Sequence, residues 1–118
     1  MNIALWVVQG ILAFAFLAAG TLKITRSREQ LAPKMTFVED YTAGQVKLIG
    51  LAEVLGAFGL VLPMALNILP VLTPVAAGAL VIVMIGAIAT HVRRKEPPAP
   101  PVILGALALV VAVGRFLS

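Results

Sequence analysis

Four long apolar runs constrain this chain more than any other feature of its sequence. They cover residues 3–22, 46–66, 70–90 and 100–117. A helix needs about 20 predominantly apolar residues to cross the hydrocarbon core of a bilayer. A spanning segment must also satisfy its backbone hydrogen bonds internally, which favours helices. We therefore predict an all-α integral membrane four-helix bundle, built as a single domain over residues 1–118.

The composition excludes a water-soluble domain and narrows the partners. Apolar residues make up 61% of the chain, against about 45–50% in soluble domains. The basic residues flank the apolar runs instead of forming a patch with interleaved aromatics. We therefore expect a lipid bilayer as partner and no nucleic acid. The chain has no cysteine, which excludes thiol redox chemistry by the chain itself.

The segments beside the runs indicate how the chain enters and leaves the membrane. No Lys or Arg precedes the first run, so we expect a retained span and not a cleaved signal peptide. The fourth helix must begin within the prolines of residues 97–101, which a first helical turn tolerates. Between the first two spans we predict a short helix around residues 27–32, followed by an irregular interfacial segment; a solvated loop is the alternative.

The basic residues also predict the orientation. All but one of the nine Lys and Arg residues, Arg115, lie in or at the edge of the loops over residues 23–47 and 91–99. Both loops fall on the same side of a four-span protein. Because cytoplasmic loops carry an excess of Lys and Arg, we expect both basic loops in the cytoplasm and both termini outside.

Glu53 is a carboxylate inside the second apolar run. A charge within a span is costly, and such residues commonly mark functional sites. Glu53 follows Lys47 by six residues, so it lies about 9 Å deeper in the membrane. Small and apolar residues share its helix face: Val46, Ile49, Gly50, Gly56, Ala57 and Leu60. Small residues let membrane helices pack closely, so we predict that Glu53 faces the bundle interior.

Two more polar residues are expected at the membrane level of Glu53. Lys23, at the end of the first span, can either pair with Glu53 or extend its ammonium group to the headgroups. His91, at the end of the third span, can either join this group or mark the membrane boundary. Lys23, Glu53 and His91 are thus the candidate ligand-binding or buried polar cluster. One His and one buried carboxylate are too few ligands for zinc, so we predict no metal site.

The remaining polar residues give weaker signals. Gln9 and Arg115 are secondary candidates on the opposite side, where Arg115 can also serve as an interfacial anchor. Asn67 and Thr73, near the connection of the second and third spans, are expected in turn and helix-capping roles. The sequence contains no phosphate loop, dinucleotide fingerprint or serine nucleophile with a base, so we predict no catalytic residue.

The chain resembles the DoxX-like family of small four-span bacterial membrane proteins. The resemblance lies in segments 18–23, 47–57 and 114–116 and in His91. The resemblance implies a four-helix bundle in the bacterial plasma membrane. Some relatives are associated with quinone-linked oxidation of sulfur compounds or with assemblies that handle oxidative stress. The resemblance therefore implies quinone as the candidate cofactor, without implying an enzymatic activity.

Three functions stay open at this point. The first is a non-catalytic membrane module that binds a hydrophobic small molecule, with quinone as candidate, or docks a membrane-associated redox or stress-response protein. The second is a proton-coupled exporter that uses Glu53. Small multidrug exporters carry their glutamate in the first span, however, where this chain has Gln9. The third is a structural assembly subunit. The oligomeric state, including a homo-oligomer, also stays open.

Overall fold

The computed structural model describes residues 2–31, 33 and 41–117, apart from the side chain of Arg28. It contains the long helices α1 (Asn2–Thr25), α3 (Ala43–Ala65), α4 (Leu72–Arg93) and α5 (Ala99–Leu117), and the short helix α2 (Arg28–Leu31). Each long helix is long and apolar enough to span a membrane. The chain is a multi-pass membrane protein, and the predicted all-α four-helix fold is confirmed.

The spans run antiparallel to their neighbours around the bundle. α1 packs chiefly against α3, α3 against α4, and α4 against α5, and α5 returns to α1. The C-termini of α1 and α4 and the N-termini of α3 and α5 therefore lie together at one end of the bundle. We call this the basic end, since it carries Lys23, Arg26, Lys47, Arg93 and Lys95. The start of α1 and the end of α5 form the opposite, terminal end.

Local sequence signals set where the helices begin. Thr42 and Gln45 form a capping box before α3: the Thr42 hydroxyl accepts from the Gln45 N–H at 3.1 Å, and the Gln45 side chain accepts from the Thr42 N–H at 2.9 Å. α3 therefore begins three residues before the predicted position. Pro100 and Pro101 lie in the first turn of α5, as predicted.

Asn67 turns the chain between α3 and α4. Its φ of 54° lies in the left-handed region, and its N–H donates to the carbonyl oxygen of Met64 at 3.3 Å. Asparagine tolerates this helix-ending conformation, and the expected turn role is confirmed. The capping role expected for Thr73 is wrong. The N-cap of α4 is Val71, without a side-chain cap bond, and Thr73 is fully buried inside the helix.

Helix α2 lies within the short helical piece predicted for residues 27–32. Ser27 and Gln30 cap it reciprocally: the Ser27 N–H donates to Gln30 Oε1 at 2.9 Å, and the Gln30 N–H donates to Ser27 Oγ at 3.2 Å. Residues 34–40 lie outside the described residues. The irregular interfacial segment expected there therefore stays a prediction.

The bundle is apolar on the inside and on the outside. Its core consists of Leu12, Phe16, Ala57, Leu60, Ala77, Leu80, Met84, Ala108 and Val111. Large apolar side chains also cover the outward faces, including Ile3, Phe14 and Ile82, which are 80%, 76% and 71% exposed. A contiguous apolar surface of this kind is not tolerated in water. These faces contact lipid acyl chains.

Gly20 of α1 and Gly50 of α3 let the two helix backbones touch. A Cβ atom on Gly20 would lie 2.6 Å from the carbonyl oxygen of Gly50, and one on Gly50 would lie 2.7 Å from that of Gly20. Small residues bring membrane helices together in this way, because packing drives their association in lipid. The contact depends on both residues being glycine.

We expect Gly50→Ala to destabilise the protein, although alanine favours helix. The added methyl group would press against the Gly20 backbone, which can move only by separating α1 from α3. Gly10→Ala is the matched control, since a Cβ there meets nothing within 4 Å. Both changes gain about 1 kcal/mol of helix propensity. In an SDS unfolding titration, the free energy of unfolding of Gly50→Ala should be lower than that of Gly10→Ala by about 2 kcal/mol or more. Equal stabilities would contradict the contact.

Candidate functional site

Lys23 and Glu53 form a buried ion pair between α1 and α3. The Nζ atom of Lys23 donates to Oε1 of Glu53 at 2.5 Å. Lys23 is 6% exposed and Glu53 is 2% exposed. Of the two arrangements open to Lys23, the structure has the direct pair. The buried face of α3 contains the predicted residues except Ile49, which is half-buried. The prediction that Glu53 faces the bundle interior is confirmed.

The glycine contact explains why the pair forms at this place. Lys23 follows Gly20 by three residues, and Glu53 follows Gly50 by three, so each charge shares a face with its glycine. Cα–Cβ bonds tilt towards the helix N-terminus, so in antiparallel helices these two side chains lean towards each other. The Lys23 stem crosses Gly50, where an added Cβ would lie 2.7 Å from the Lys23 Cβ. The small residues thus make room for the ion pair.

A cleft of about 210 Å³ lies beside the ion pair. Its lining residues are Lys23, Tyr41, Ile49, Glu53, Ile82, Val83, Met84, Gly86 and Ala87. The ion pair and the Tyr41 phenol supply its polar groups, while α3 and α4 supply apolar walls. Ile82 is largely exposed on the outer face of α4, so the cleft borders the lipid-facing surface.

Tyr41 connects the segment before α3 to the end of α4. Its Oη lies 2.5 Å from Oγ1 of Thr90, and the Thr90 hydroxyl donates to the carbonyl oxygen of Gly86 at 3.0 Å. Because the Thr90 proton is used on Gly86, the Tyr41 phenol is the donor to Thr90. Sequence reasoning missed this bond. The available signal in the sequence was Thr90, a hydroxyl-bearing residue at the end of an apolar run.

The structure places His91 apart from the cleft lining. Its Nδ1 lies 3.4 Å from Oε1 of Glu96, in the loop that follows α4. Of the three residues in the candidate cluster, Lys23 and Glu53 meet at the cleft, and His91 does not line it. A role of His91 in ligand binding stays a prediction. In the described part of the chain, no three His, Cys, Asp or Glu side chains are grouped so that they could hold a metal ion.

Gln9 and Arg115 meet at the terminal end of the bundle. The Nε of Arg115 donates to Gln9 Oε1 at 2.6 Å, and Gln9 Nε2 donates to the Leu60 carbonyl oxygen at 2.6 Å. Arg115 also donates to Asn2 Oδ1 at 2.6 Å and lies 5.3 Å from the centre of the Trp6 ring. With 7% exposure, Arg115 is a bundle residue that ties α5 to α1.

The fold and the site define a small four-span membrane protein with a buried ion pair at a close helix contact. The sequence pattern of the DoxX-like family matches residues 7–113, from the first span to the fourth. The chain belongs to this family, which confirms the resemblance seen in its sequence. No curated protein and no solved structure matches the chain.

We expect Lys23→Met and Glu53→Gln each to destabilise the protein, and the double variant to recover part of the loss. Each single change leaves one buried group without the partner it has at 2.5 Å. Breaking a buried pair costs about 3–5 kcal/mol in soluble proteins. A double-mutant cycle on the free energy of unfolding in SDS measures the coupling between the two residues.

A second cycle with Lys47→Met in place of Lys23→Met is the control. Lys47 donates to the Ile24 carbonyl oxygen at 2.8 Å and lies about 9 Å along α3 from Glu53, so its coupling to Glu53 should be near zero. The ion pair would contribute nothing to folding if both cycles gave the same coupling energy.

Proposed function

We propose that the protein is a membrane module without catalysis of its own, which binds a hydrophobic small molecule with a polar ring in the cleft beside Lys23 and Glu53. A quinone is the ligand class that fits this description best. The observation that carries the proposal is an ion pair and a phenol placed in an otherwise apolar cleft next to the lipid-facing residue Ile82. Small-molecule sites commonly combine an apolar wall with a few placed polar groups.

The polar groups of the cleft suit the oxygens of such a ring. The Lys23 ammonium is a charged donor that lines the cleft, and it can direct an N–H towards a ring carbonyl oxygen. The Tyr41 hydroxyl oxygen also lines the cleft; its proton goes to Thr90, so it can accept a hydrogen bond from a ring hydroxyl. The second oxygen of the Glu53 carboxylate can accept from a ring hydroxyl. These polar groups can therefore bind a quinone ring both in its carbonyl form and in its hydroxyl form.

The size of the cleft supports a particular way of binding. Its volume of about 210 Å³ is below the roughly 300–1,000 Å³ of a typical ligand pocket. A ring fits this space, whereas a long tail does not. The tail of a lipophilic quinone would lie in the bilayer, along the outer face of α4 beside Ile82 and Ile85.

The basic end of the bundle supports an orientation for this site. Lys and Arg are enriched in cytoplasmic loops, so we place the basic end in the cytoplasm of a bacterial plasma membrane and both termini outside. Lys23 and Glu53 would then lie in the cytoplasmic half of the bilayer. A ligand would enter the cleft from that leaflet.

A structural role for the ion pair is the second candidate. The contact between Gly20 and Gly50 favours it, because the pair forms beside this close approach of α1 to α3. In this role Lys23 and Glu53 would fix the register of the two helices within a larger assembly. Proton-coupled export through Glu53, docking of a membrane-associated redox protein, and homo-oligomerisation stay predictions.

We expect Gly86→Leu to weaken quinone binding by about tenfold or more, equivalent to about 1.4 kcal/mol. Gly86 lines the cleft and a Cβ there meets nothing within 4 Å, so a side chain at this position has room to begin, and the larger leucine would take up space in the cleft. Equilibrium dialysis of the purified protein in neutral detergent against a short-tailed quinone measures the dissociation constant.

Gly78→Leu is the matched control for this experiment. Gly78 lies on the same helix, a Cβ there also meets nothing within 4 Å, and it does not line the cleft. Both variants gain the same helix propensity, so a difference between them reports on the cleft. The absence of saturable quinone binding to the wild type, or equal binding by the two variants, would leave the structural role as the better account.

A further inference from the structure

A second cavity lies at the basic end, between the end of α1, helix α2 and the start of α3. We call it the polar pocket; its volume is about 410 Å³. Three cationic residues line it, namely Lys23 of α1, Arg26 of the connection after α1, and Lys47 of α3. Glu29 is the acidic residue among its described lining residues. The pocket thus brings together cations from α1, from the connection after α1 and from α3.

The hydrogen-bonding groups of the polar pocket are mostly donors. Ser27 Oγ and Gln30 Oε1 accept from each other's backbone N–H groups, and the Thr25 hydroxyl donates to the Thr21 carbonyl oxygen at 2.7 Å. The Gln30 amide NH₂ and the Arg26 guanidinium remain as donors, and neither can accept a hydrogen bond. Lys47 uses one of its three protons on the Ile24 carbonyl oxygen. Glu29 and the Glu53 partner of Lys23 offset two of the three cations, so one positive charge remains in excess. This excess, together with the donors, favours a ligand that carries several acceptor oxygens and a negative charge.

We propose that the polar pocket binds a phosphate group, carried by an anionic phospholipid or free in solution. Lys23 is buried at the floor of the pocket, while Arg26 and Lys47 are exposed at its rim. A phosphate accepts charge-assisted hydrogen bonds from several donors at once. The pocket lies where two spans leave the apolar region, which is the level of lipid headgroups. This inference does not depend on what the cleft binds.

Titration with lipids of one chain length and different headgroups tests the proposal. The melting temperature of the full chain in neutral detergent is followed against short-chain phosphatidylglycerol, with short-chain phosphatidylcholine as the uncharged comparison. A third arm uses inorganic phosphate against sodium chloride at equal ionic strength, which separates a free phosphate from a lipid headgroup. We expect a saturable stabilisation by phosphatidylglycerol or by inorganic phosphate that the comparison arm lacks.

Charge changes in the pocket should move the midpoint of that titration in both directions. The double variant Arg26→Gln and Lys47→Gln should weaken binding by about 30-fold, or about 2 kcal/mol for two cations at a membrane surface. Arg26→Gln alone should weaken it about fivefold, and Glu29→Gln should tighten it by a similar factor. If the double variant does not fold, the single variant Arg26→Gln is compared with the wild type in its place.

The matched control removes the same charge elsewhere on the basic end. Arg93→Gln combined with Lys95→Gln takes two exposed cations from the residues at and just after the end of α4, which do not line the polar pocket. Because salt screens exposed charges that make no direct contact with the ligand, this variant should leave the midpoint within about threefold of the wild type. The proposal is overturned if neither phosphate form stabilises the wild type, or if the control and the pocket variant lose binding equally.

Discussion

The contact between α1 and α3 is the interaction on which the rest of the structure depends. Lipid tails are as apolar as leucine, so the hydrophobic effect does not hold membrane helices together. Close packing at Gly20 and Gly50 and the Lys23–Glu53 ion pair replace it. The two act together, since the glycines create the space in which the pair forms. A larger residue at either glycine would push the two helices apart, and at Gly50 it would also press against the Lys23 side chain.

Two polar clusters fix the position of α1 along its length. Lys23 joins it to α3 towards the basic end, and Gln9 joins it to Arg115 of α5 and to the α3 backbone at Leu60. Between them the interface is apolar, with Phe16 and Leu12 in the core. Because these directional bonds lie far apart on one helix, a shift of α1 by one turn would break both sets. The arrangement specifies the register that apolar packing alone leaves loosely defined.

The sequence predicts the spans, the inward face of Glu53 and the start of α5, because each follows from a local pattern: apolar run length, small residues at helical spacing, and proline in a first turn. It leaves two choices for Lys23, since the stem is long enough to reach either Glu53 or the headgroups. Gln9 and Arg115 stand out singly, but their bond joins residues 106 positions apart, which no local pattern reports. The cleft is equally hidden, because a void depends on how neighbouring helices diverge.

Lys23 belongs to two cavities at once, the polar pocket at the basic end and the apolar cleft beside α4. The Lys23 side chain therefore lies between two cavities, one lined mostly by polar residues and the other mostly by apolar residues. A ligand in one cavity that draws the Lys23 ammonium group towards itself would change the electric field in the other cavity. If both cavities hold ligands, the change that one ligand makes in the binding free energy of the other is therefore reciprocal.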